Sequence, residues 1–231
     1  MHGSGQPDAD RLSDRIMPQP LRDEFLARAR TLSVTRRQSV IAEGTESSDV
    51  YLIVTGRLQF SLVSPAGREV VLREMGPHEL FGELSAIDGG TRSTNVTALE
   101  DGKLAHMSAA EFTQFLIEAP QAGLWIARQL AKRIRSLTDR AFELATLPVA
   151  SRVQAEVLRI AREASEPGED KVLVQPMPTH ADLAARIGTS REAVSRELGL
   201  LTQEGVLTQS GRKLLVPSLA ALQALHDRMM R

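Results

Sequence analysis

Cysteine is absent from the 231-residue chain, which excludes disulfides, cysteine-ligated zinc, iron–sulfur clusters and thiol catalysis. The chain also lacks an apolar run approaching the roughly 18 residues that a membrane-spanning helix requires, and its polar N-terminus does not read as a secretory signal. These absences predict a cytoplasmic protein without a membrane-spanning segment. The five histidines do not occur at metal-ligand spacing, so we expect no metal site.

An excess of charge of either sign is missing as well, since the formal net charge is −1. From Ala150 to the C-terminus, eleven Lys or Arg residues stand against ten Asp or Glu residues. Bulk charge therefore gives no support to nucleic-acid binding. A DNA-binding surface in this half of the chain must gather its positive charge on one face.

Stretches of different periodicity follow one another along the chain. A polar tail (residues 1–20) and a short helix precede short β-type runs that alternate with glycine turns. A helical period follows, and after Pro148, which breaks it, the chain is mostly helical with a β-ribbon pattern near its end. The sequence predicts an α+β protein with a β-roll (jelly-roll) domain at residues 21–108, a dimerisation helix region at 109–147 and a winged helix-turn-helix domain at 148–231.

The long helical stretch carries a narrow apolar stripe with alternating spacings of three and four residues. Its members are Ala127, Leu130, Ile134, Leu137, Ala141 and Leu144. A period of about 3.5 residues favours packing against another helix along its whole length, most simply the same helix of a second copy in a homodimer. The alternative is a single amphipathic helix that lies on its own domain.

The sequence FGELSAIDGGTRSTN, which begins at residue 81, combines groups that suit a small anionic ligand. Gly82 permits a close approach of the backbone, Glu83 can accept a hydrogen bond from a sugar hydroxyl, and Arg92 can pair with a phosphate through two hydrogen bonds. Backbone N–H groups that would complete the anion site belong to Leu84 and Ser93. A cyclic purine nucleotide presents the complementary groups. The alternative is an ion pair between Glu83 and Arg92 across a β-turn.

Two short helices joined by a tight turn are predicted downstream of residue 178. Thr179 and Ser190 are suitable N-cap residues, and Gly188 ends the first helix. The second helix carries the side chains that we expect to face DNA bases, namely Arg191, Glu192, Ser195 and Arg196. Phosphate contacts are expected from Thr179, His180 and Ser190, and from two cations at the tip of a β-hairpin wing, Arg212 and Lys213. The alternative is a solvated helix with mixed charges.

Both segments resemble motifs of the CRP/FNR family of transcription regulators. The first is similar to the family's phosphate-binding cassette, F-G-E-L-(small)-L-x(5-6)-R-(S/A/T)-(A/T), with Ala86 at a position that is usually Leu. The sequence GTSREAVSR, which begins at Gly188, is similar to the recognition signature G-x-S-R-E-x-V-x-R. The resemblance spans Ser33 to Val216. It implies a cyclic-nucleotide-binding jelly roll, a long dimerisation helix and a winged helix-turn-helix.

The resemblance also implies roles for individual residues in the ligand site. Glu83 would bind the ribose, Arg92 and Ser93 the phosphate, and Phe60 and Leu72 would form the pocket wall. No cofactor other than this allosteric ligand is expected.

The resemblance implies that three residues of the second helix contact DNA bases, namely Arg191, Glu192 and Arg196. The DNA site would be palindromic, with TGTGA-like half-sites about one helical turn apart. The expected partners are double-stranded DNA, a second copy of the chain and, for an activator, RNA polymerase.

The identity of the base is less well defined by the resemblance. Where cyclic-AMP-binding members carry a Thr-Ser pair, this chain has Leu137 and Thr138, and only Thr138 offers a hydrogen bond. Ser93 occupies the position at which a hydroxyl contacts guanine in cyclic-GMP-binding domains. Cyclic AMP is favoured over cyclic GMP. A regulator that is constitutive or senses another small ligand is the main alternative, and a β-roll enzyme acting on a phosphodiester or sugar is a distant one.

Overall fold

The computed structural model describes residues 15–64, 67, 69–166 and 168–229, without the side chain of Met229. Most of the predicted polar tail therefore lies outside the described residues. The chain divides into two compact units between Ala131 and Lys132, a boundary inside the predicted helix region 109–147. Within the described part of the chain, no helix has both the length and the apolar character needed to cross a membrane.

The N-terminal unit consists of two antiparallel four-stranded sheets with flanking helices. The strands are β1 Arg30–Val34, β2 Ser39–Ile41, β3 Val50–Thr55, β4 Leu58–Val63, β5 Glu69–Met75, β6 Leu80–Phe81, β7 Asn95–Ala98 and β8 Gly102–Met107. Their order is β1-β8-β3-β6 in one sheet and β2-β7-β4-β5 in the other. The helices are α1 Gln19–Arg28, α2 Glu83–Asp88, α3 Ala109–Glu118 and the first part of α4 Pro120–Thr146.

Strand β3 explains how this unit is layered. Its even-numbered residues Val50 and Leu52 belong to a core shared with helices α1, α3 and α4, whereas Tyr51 and Ile53 belong to a core shared by both sheets. The strand is thus covered on both faces, as its continuous apolar sequence requires. Full burial of each such aliphatic side chain contributes about 1.5–3 kcal/mol to stability.

The segment after Gly82 differs from the sequence-based expectation. We did not predict a helix in this segment, but Glu83–Asp88 forms the helix α2. Its sequence ELSAID contains good helix formers, and glycines in the left-handed conformation flank it, Gly82 with φ 82° and Gly89 with φ 71°. The helix is short because both glycines interrupt it. The short strands β1 and β6 were also not predicted.

The predicted helical stretch 109–147 comprises two helices. Ser108 and Glu111 form a capping box at the start of α3, in which each side chain accepts a hydrogen bond from the other residue's backbone N–H. Helix α4 begins at Pro120, because proline is well tolerated at a first helical position but not in a helix interior.

The C-terminal unit is a small helical domain with a three-stranded antiparallel sheet. Besides the end of α4 it contains α5 Val149–Ala164, β9 Val172–Val174, α6 His180–Ile187, α7 Arg191–Gln203, β10 Thr208–Ser210, β11 Lys213–Val216 and α8 Leu219–Met229. The strand order is β10-β11-β9. A single core joins α5, the sheet, α6, α7 and α8. The predicted fold class, a β-roll followed by a long helix and a winged helix-turn-helix, is the observed one.

Candidate ligand-binding and DNA-binding sites

The side chain of Arg92 is buried and held by three hydrogen bonds. Its Nε donates to Ser47 Oγ at 2.9 Å, Nη1 to the Gly82 carbonyl oxygen at 2.9 Å and Nη2 to the Asp49 carbonyl oxygen at 2.7 Å. Burial lowers the pKa of Arg92 from its ordinary value, while the charges of Tyr51, Asp49 and Glu83 oppose that shift. An arginine remains charged in such a site. The result is a fixed cation at the end of the cassette.

Gly82 is in direct contact with this cation. A Cβ atom added to Gly82 would lie 2.7 Å from the Asp49 carbonyl oxygen and 2.9 Å from Arg92 Nη1. Both distances are shorter than a carbon atom tolerates, and the left-handed backbone at Gly82 is itself unfavourable for other residues. The glycine of the cassette thus allows the backbone to approach the arginine.

Glu83 begins helix α2, and its side chain is buried. Helix α2 occupies the residues that follow Glu83, so the segment between Glu83 and Arg92 is not the simple β-turn of the alternative interpretation. The carboxylate nevertheless acts on Arg92, since its charge raises the pKa of that guanidinium. A carboxylate and a cation therefore lie close enough together to interact with different parts of one ligand.

The remaining predicted ligand residues differ in exposure. Phe60 is buried, with its ring edge-on to Phe81 at 5.4 Å, and the Arg73 guanidinium lies 5.0 Å from its ring centroid. The others are exposed, namely Leu72, Leu84, Ser93 and Thr138. The Thr138 hydroxyl donates to the Ile134 carbonyl oxygen within α4 at 2.9 Å. Thr138 belongs to the C-terminal unit.

Sequence analysis missed the residues that support Arg92 from outside the cassette. Ser47 and Asp49 lie 45 and 43 residues before it. The Asp49 carboxylate also lies 3.1 Å from Nδ1 of His106, and Tyr51 stacks on His106 at 5.8 Å. Burial raises the pKa of Tyr51, and the charge of Asp49 adds to that effect. A hydroxyl and a backbone carbonyl carry no recognisable sequence signature, so no motif could have identified them.

The helix-turn-helix of the C-terminal unit has the local structure that its sequence predicts. The Thr179 side chain caps α6 in a capping box with Asp182, and Gly188 ends the helix in the left-handed conformation with φ 64°. Ser190 Oγ accepts a hydrogen bond from Ala193 N at the start of α7. The Thr179 hydroxyl also donates to Asp182 Oδ2 at 2.6 Å. The hydroxyls of Thr179 and Ser190, predicted to contact phosphate, thus serve as helix caps.

The proposed base-reading side chains lie on the exposed face of α7. Arg191, Glu192, Ser195 and Arg196 are all exposed. Arg196 pairs with the neighbouring Glu197, with Nη2 3.1 Å from Oε1. The pKa of Glu192 is lowered by a hydrogen bond from its own backbone N–H and by another from Ser190, so it presents a carboxylate. This arrangement offers both donors and an acceptor to a base edge.

His180, another predicted phosphate contact, has both ring nitrogens in hydrogen bonds within the protein. Nδ1 lies 2.7 Å from Ser195 Oγ on α7, and Nε2 lies 2.9 Å from Gln209 Nε2 on β10. The predicted wing cations Arg212 and Lys213 are exposed at the β10–β11 turn. His180 therefore connects helix α7 to strand β10 of the wing.

The apolar stripe of α4 differs in exposure along its length. Leu130 is half-buried and packs on the core of the N-terminal unit. The large side chains further along are exposed in the single chain, Ile134 by 64%, Leu137 by 66% and Leu144 by 49%, and so are the small ones, Ala127 and Ala141. Leu144 also lies against the turn of the helix-turn-helix, since a Cβ atom added to Gly188 would be 3.1 Å from its Cδ2.

A buried charge network links the end of α4 to the helix-turn-helix. Both carboxylate oxygens of Glu143 accept hydrogen bonds from Arg159 Nη2 at 2.9 Å. Arg159 also pairs with Glu156, and Arg186 on α6 approaches the other oxygen of Glu156 at 3.4 Å. Glu156 is 2% exposed, and a carboxylate so deeply buried requires such partners. Nothing in the sequence pattern indicated this network.

Each half of the chain matches the model of a known protein family. Residues 31–119 match the family model of the cyclic nucleotide-binding domain, and residues 151–225 match that of the Crp-like helix-turn-helix domain. The chain is 33% identical over 169 residues to the Cyclic AMP receptor protein of Thermus thermophilus, covering 73% of this chain and 74% of that protein. It is 28% identical over 181 residues to a CRP-like cAMP-activated global transcriptional regulator of Mycobacterium tuberculosis, covering 78% and 81%.

A solved structure with the same fold is the c-di-GMP responsive global regulator CLP of Xanthomonas campestris. It superposes with a TM-score of 0.68 at 25% identity, covering 87% of this chain and 100% of that one. The predicted family and fold class are thereby confirmed, and the Mycobacterium relative is named as a transcriptional regulator. The chain belongs to the CRP/FNR family of transcription regulators.

Proposed function

We propose that the protein is a homodimer that binds palindromic DNA under the control of a cyclic purine nucleotide, with cyclic AMP favoured over cyclic GMP. The observation that carries the proposal is the fixed guanidinium of Arg92 beside Glu83 and Gly82. Its three hydrogen bonds use one N–H on each nitrogen. Each terminal nitrogen of a guanidinium carries a second N–H, and such a pair suits the bidentate binding of a phosphate.

The rest of the ligand is assigned by complementarity to this cation. The carboxylate of Glu83 would accept a hydrogen bond from the ribose hydroxyl, and Ser93 and the backbone near Leu84 would complete the phosphate site. Phe60 and Leu72 would flank the sugar and base. Cyclic AMP is favoured because the Thermus and Mycobacterium relatives are named for it.

The base is the part of the ligand where two subunits would cooperate. Thr138 would reach the purine bound by the partner subunit, whereas Leu137 beside it can only pack. Ser93 is the feature that would favour guanine. Titration of both nucleotides is therefore part of the test.

The exposed stripe on α4 supports the dimer. Ile134, Leu137 and Leu144 expose apolar area along one line, which two copies would bury against each other. Nucleotide binding would change the pairing of these helices, and the Glu143–Arg159 contact would pass the change to the DNA-binding unit. The ligand can shift the equilibrium only by its difference in affinity for the two states.

At the DNA, base reading is assigned to three side chains of α7, Arg191, Glu192 and Arg196. The wing cations Arg212 and Lys213 would bind phosphates. The proposed target has two TGTGA-like half-sites, one for each subunit. If the protein activates transcription, RNA polymerase is the further partner. A DNA target also implies action in the cytoplasm.

A different small ligand is the second candidate. Leu137 removes one hydrogen bond to the base, and the Xanthomonas relative is named as responsive to c-di-GMP. The cation at Arg92 would suit any nucleotide phosphate. This candidate keeps the regulator and changes only the effector.

The test is a calorimetric titration of the full-length protein with cyclic AMP, cyclic GMP and c-di-GMP, followed by a search for hydrolysis products. We expect saturable binding of cyclic AMP, no turnover, and tighter binding of a palindromic TGTGA duplex in its presence. Arg92→Ala should abolish nucleotide binding and leave affinity for random-sequence DNA unchanged. Binding of c-di-GMP alone would transfer the proposal to the second candidate, and turnover would favour an enzyme. Nucleotide binding without any change in DNA affinity would refute control by the nucleotide.

A further inference from the structure

The ring of His180 joins three elements of the DNA-binding unit. The residue is the first of α6, its Nδ1 contacts Ser195 on α7, and its Nε2 contacts Gln209 on β10. The ring is half-buried. Gln209 lies 29 residues from His180 in the sequence, so the contact is tertiary and not a feature of one local motif.

The hydrogen atoms of this contact follow from the orientation of the Ser195 hydroxyl and the Gln209 amide in the structure. Ser195 Oγ donates its hydrogen to the Arg191 carbonyl oxygen at 2.9 Å, so it must accept from His180. Nδ1 of His180 therefore carries a hydrogen. The Gln209 amide nitrogen can only donate, so Nε2 of His180 must accept. One neutral tautomer, with the hydrogen on Nδ1, satisfies the whole chain of bonds.

The wing (residues 208–216) needs such a connection. Strand β10 has three residues, lies at the edge of its sheet and pairs only with β11 among the described strands. The wing carries Arg212 and Lys213 at its tip, whereas the base-reading residues lie on α7. Helix α7 and the wing can contact one DNA duplex together only when the distance between them suits the duplex. A distance that is fixed before binding lowers the entropic cost of association.

We propose that His180 is a positioning residue that clips the wing to the recognition helix through Gln209 and Ser195, and that it does not itself bind phosphate. Because the DNA contacts of α7 and of the wing belong to the proposed function, this inference rests on it. The clip predicts that Gln209, which has no charge, matters as much for phosphate binding as His180. A direct phosphate contact by His180 predicts no effect of Gln209.

The first test needs no DNA. In the full-length protein labelled with ¹⁵N-histidine, long-range ¹H–¹⁵N spectra distinguish the two neutral tautomers, and the signal that is lost in His180→Ala identifies the residue. We expect the hydrogen on Nδ1 at neutral pH. A hydrogen on Nε2 alone would overturn the clip as the structure orients it, because the Gln209 amide nitrogen could not then donate to Nε2. Since this measurement uses the wild-type protein, it does not depend on the folding of a variant.

The second test measures how DNA affinity depends on salt, because each phosphate contact adds about 0.9 to the slope of log K against log salt concentration. The reference is the Arg212→Ala/Lys213→Ala variant, whose loss of two contacts per subunit should lower the slope by about 1.8 per subunit. We expect Gln209→Ala and His180→Ala each to lose at least half of that amount. The double variant should lose no more than the larger single effect. The matched control is Thr208→Ala, an exposed position on the same strand.

The possible outcomes separate the clip from its alternatives. A wild-type slope in Gln209→Ala with a reduced slope in His180→Ala would make His180 a phosphate ligand and overturn the clip. Random-sequence DNA also reports phosphate contacts, so the test remains decisive if the palindrome is wrong. If the protein binds no DNA at all, the proposed function fails, whereas the tautomer measurement still decides the His180 contact.

Discussion

The carbonyl oxygen of Gly82 accepts a hydrogen bond from Nη1 of Arg92 at 2.9 Å, and the missing side chain of Gly82 makes that contact possible. Gly82→Ala should therefore destabilise the N-terminal unit and abolish nucleotide binding. The left-handed backbone alone costs about 1–2 kcal/mol for a residue with a Cβ atom. The displacement of the arginine or of the Asp49 carbonyl adds to that cost. Thermal unfolding and nucleotide titration measure the two effects.

Gly89→Ala is the matched control for this prediction. Gly89 also has a positive φ of 71°, but a Cβ atom added there meets nothing within 4 Å. The control should lose about 1–2 kcal/mol of stability and retain nucleotide binding. Equal affinities in the two variants would show that the close approach at Gly82 has no part in ligand binding.

Ser47 gives a second prediction about the same cation. Its hydroxyl accepts from Arg92 Nε at 2.9 Å, so Ser47→Ala should leave the guanidinium in place but less firmly held. A hydrogen bond to a charged group contributes about 1.5–3 kcal/mol, so we expect nucleotide affinity to fall by about tenfold or more. The neighbouring half-buried Ser48 provides the control, since Ser48→Ala removes a hydroxyl next to Asp49 without removing the one that binds Arg92. An unchanged affinity in Ser47→Ala would contradict the supporting role.

Local sequence was sufficient for features whose partners are close in the chain. The caps at Thr179 and Ser190, the left-handed Gly188 and the apolar stripe of α4 each depend on spacings of a few residues. The presence of the β-roll followed from the even recurrence of glycine turns. Physical rules for helices and turns act over the same short range.

Long-range contacts could not be predicted in this way. Arg92 is held by the hydroxyl of Ser47 and by the backbone carbonyl of Asp49. A backbone carbonyl is present in every residue type, so it leaves no trace in the sequence. His180 was predicted to bind phosphate from its position in the sequence alone, which could not show that its ring contacts Gln209, 29 residues away. Helix α2 was missed because six residues between glycines also suit a loop. Tertiary structure, and not local propensity, decides such cases.

The stripe on α4 predicts that a charge at Leu137 prevents dimerisation. Leu137→Glu would place a carboxylate in the centre of the proposed helix pair. The same carboxylate of the second copy would lie beside it, and the two negative charges would repel each other. Sedimentation equilibrium should show a monomer, with loss of affinity for the palindrome. Leu173→Glu is the control, because Leu173 is also exposed, by 52%, but lies on β9. A dimer that survives Leu137→Glu would exclude this stripe as the interface.

The network around Glu156 predicts that Arg159 stabilises the C-terminal unit strongly. Arg159→Ala leaves the buried Glu156 with the more distant Arg186, at 3.4 Å, as a partner. The cost should therefore approach, but not reach, the roughly 3–5 kcal/mol of a buried ion pair that loses one partner completely. Glu143→Gln should cost less, because Arg159 retains Glu156 as a partner. Urea unfolding followed by circular dichroism measures both, with the exposed Lys171→Ala as control.

Glu143→Gln should also weaken the control of DNA binding by the nucleotide. Glu143→Gln weakens the contact between the end of α4 and α5 while leaving the nucleotide site intact. It should therefore bind nucleotide normally but show a smaller increase in DNA affinity on nucleotide binding. If the increase is the same as in the wild type, the Glu143–Arg159 contact does not transmit the signal.

Asp170 predicts how stability depends on pH. The backbone N–H of Ala220, at 2.8 Å from its carboxylate, and the Ser218 hydroxyl lower the pKa of Asp170 below its ordinary value of 3.8. A carboxyl group with a lowered pKa stabilises the folded state above its unfolded pKa, and the stabilisation is lost as the pH falls through the folded pKa. Asp170→Asn should therefore lower the melting temperature at pH 7, and the difference from wild type should close progressively below about pH 4.

The control for Asp170 is Glu204→Gln, which removes another exposed carboxylate of the same unit. Asparagine at residue 170 keeps an oxygen that can accept from Ala220, but it lacks the charge that strengthens the bond at the start of α8. The diagnostic result is thus the dependence of the difference on pH and not its size at a single pH. A difference that stays constant from pH 7 to pH 2 would mean that the carboxylate charge has no part in holding α8.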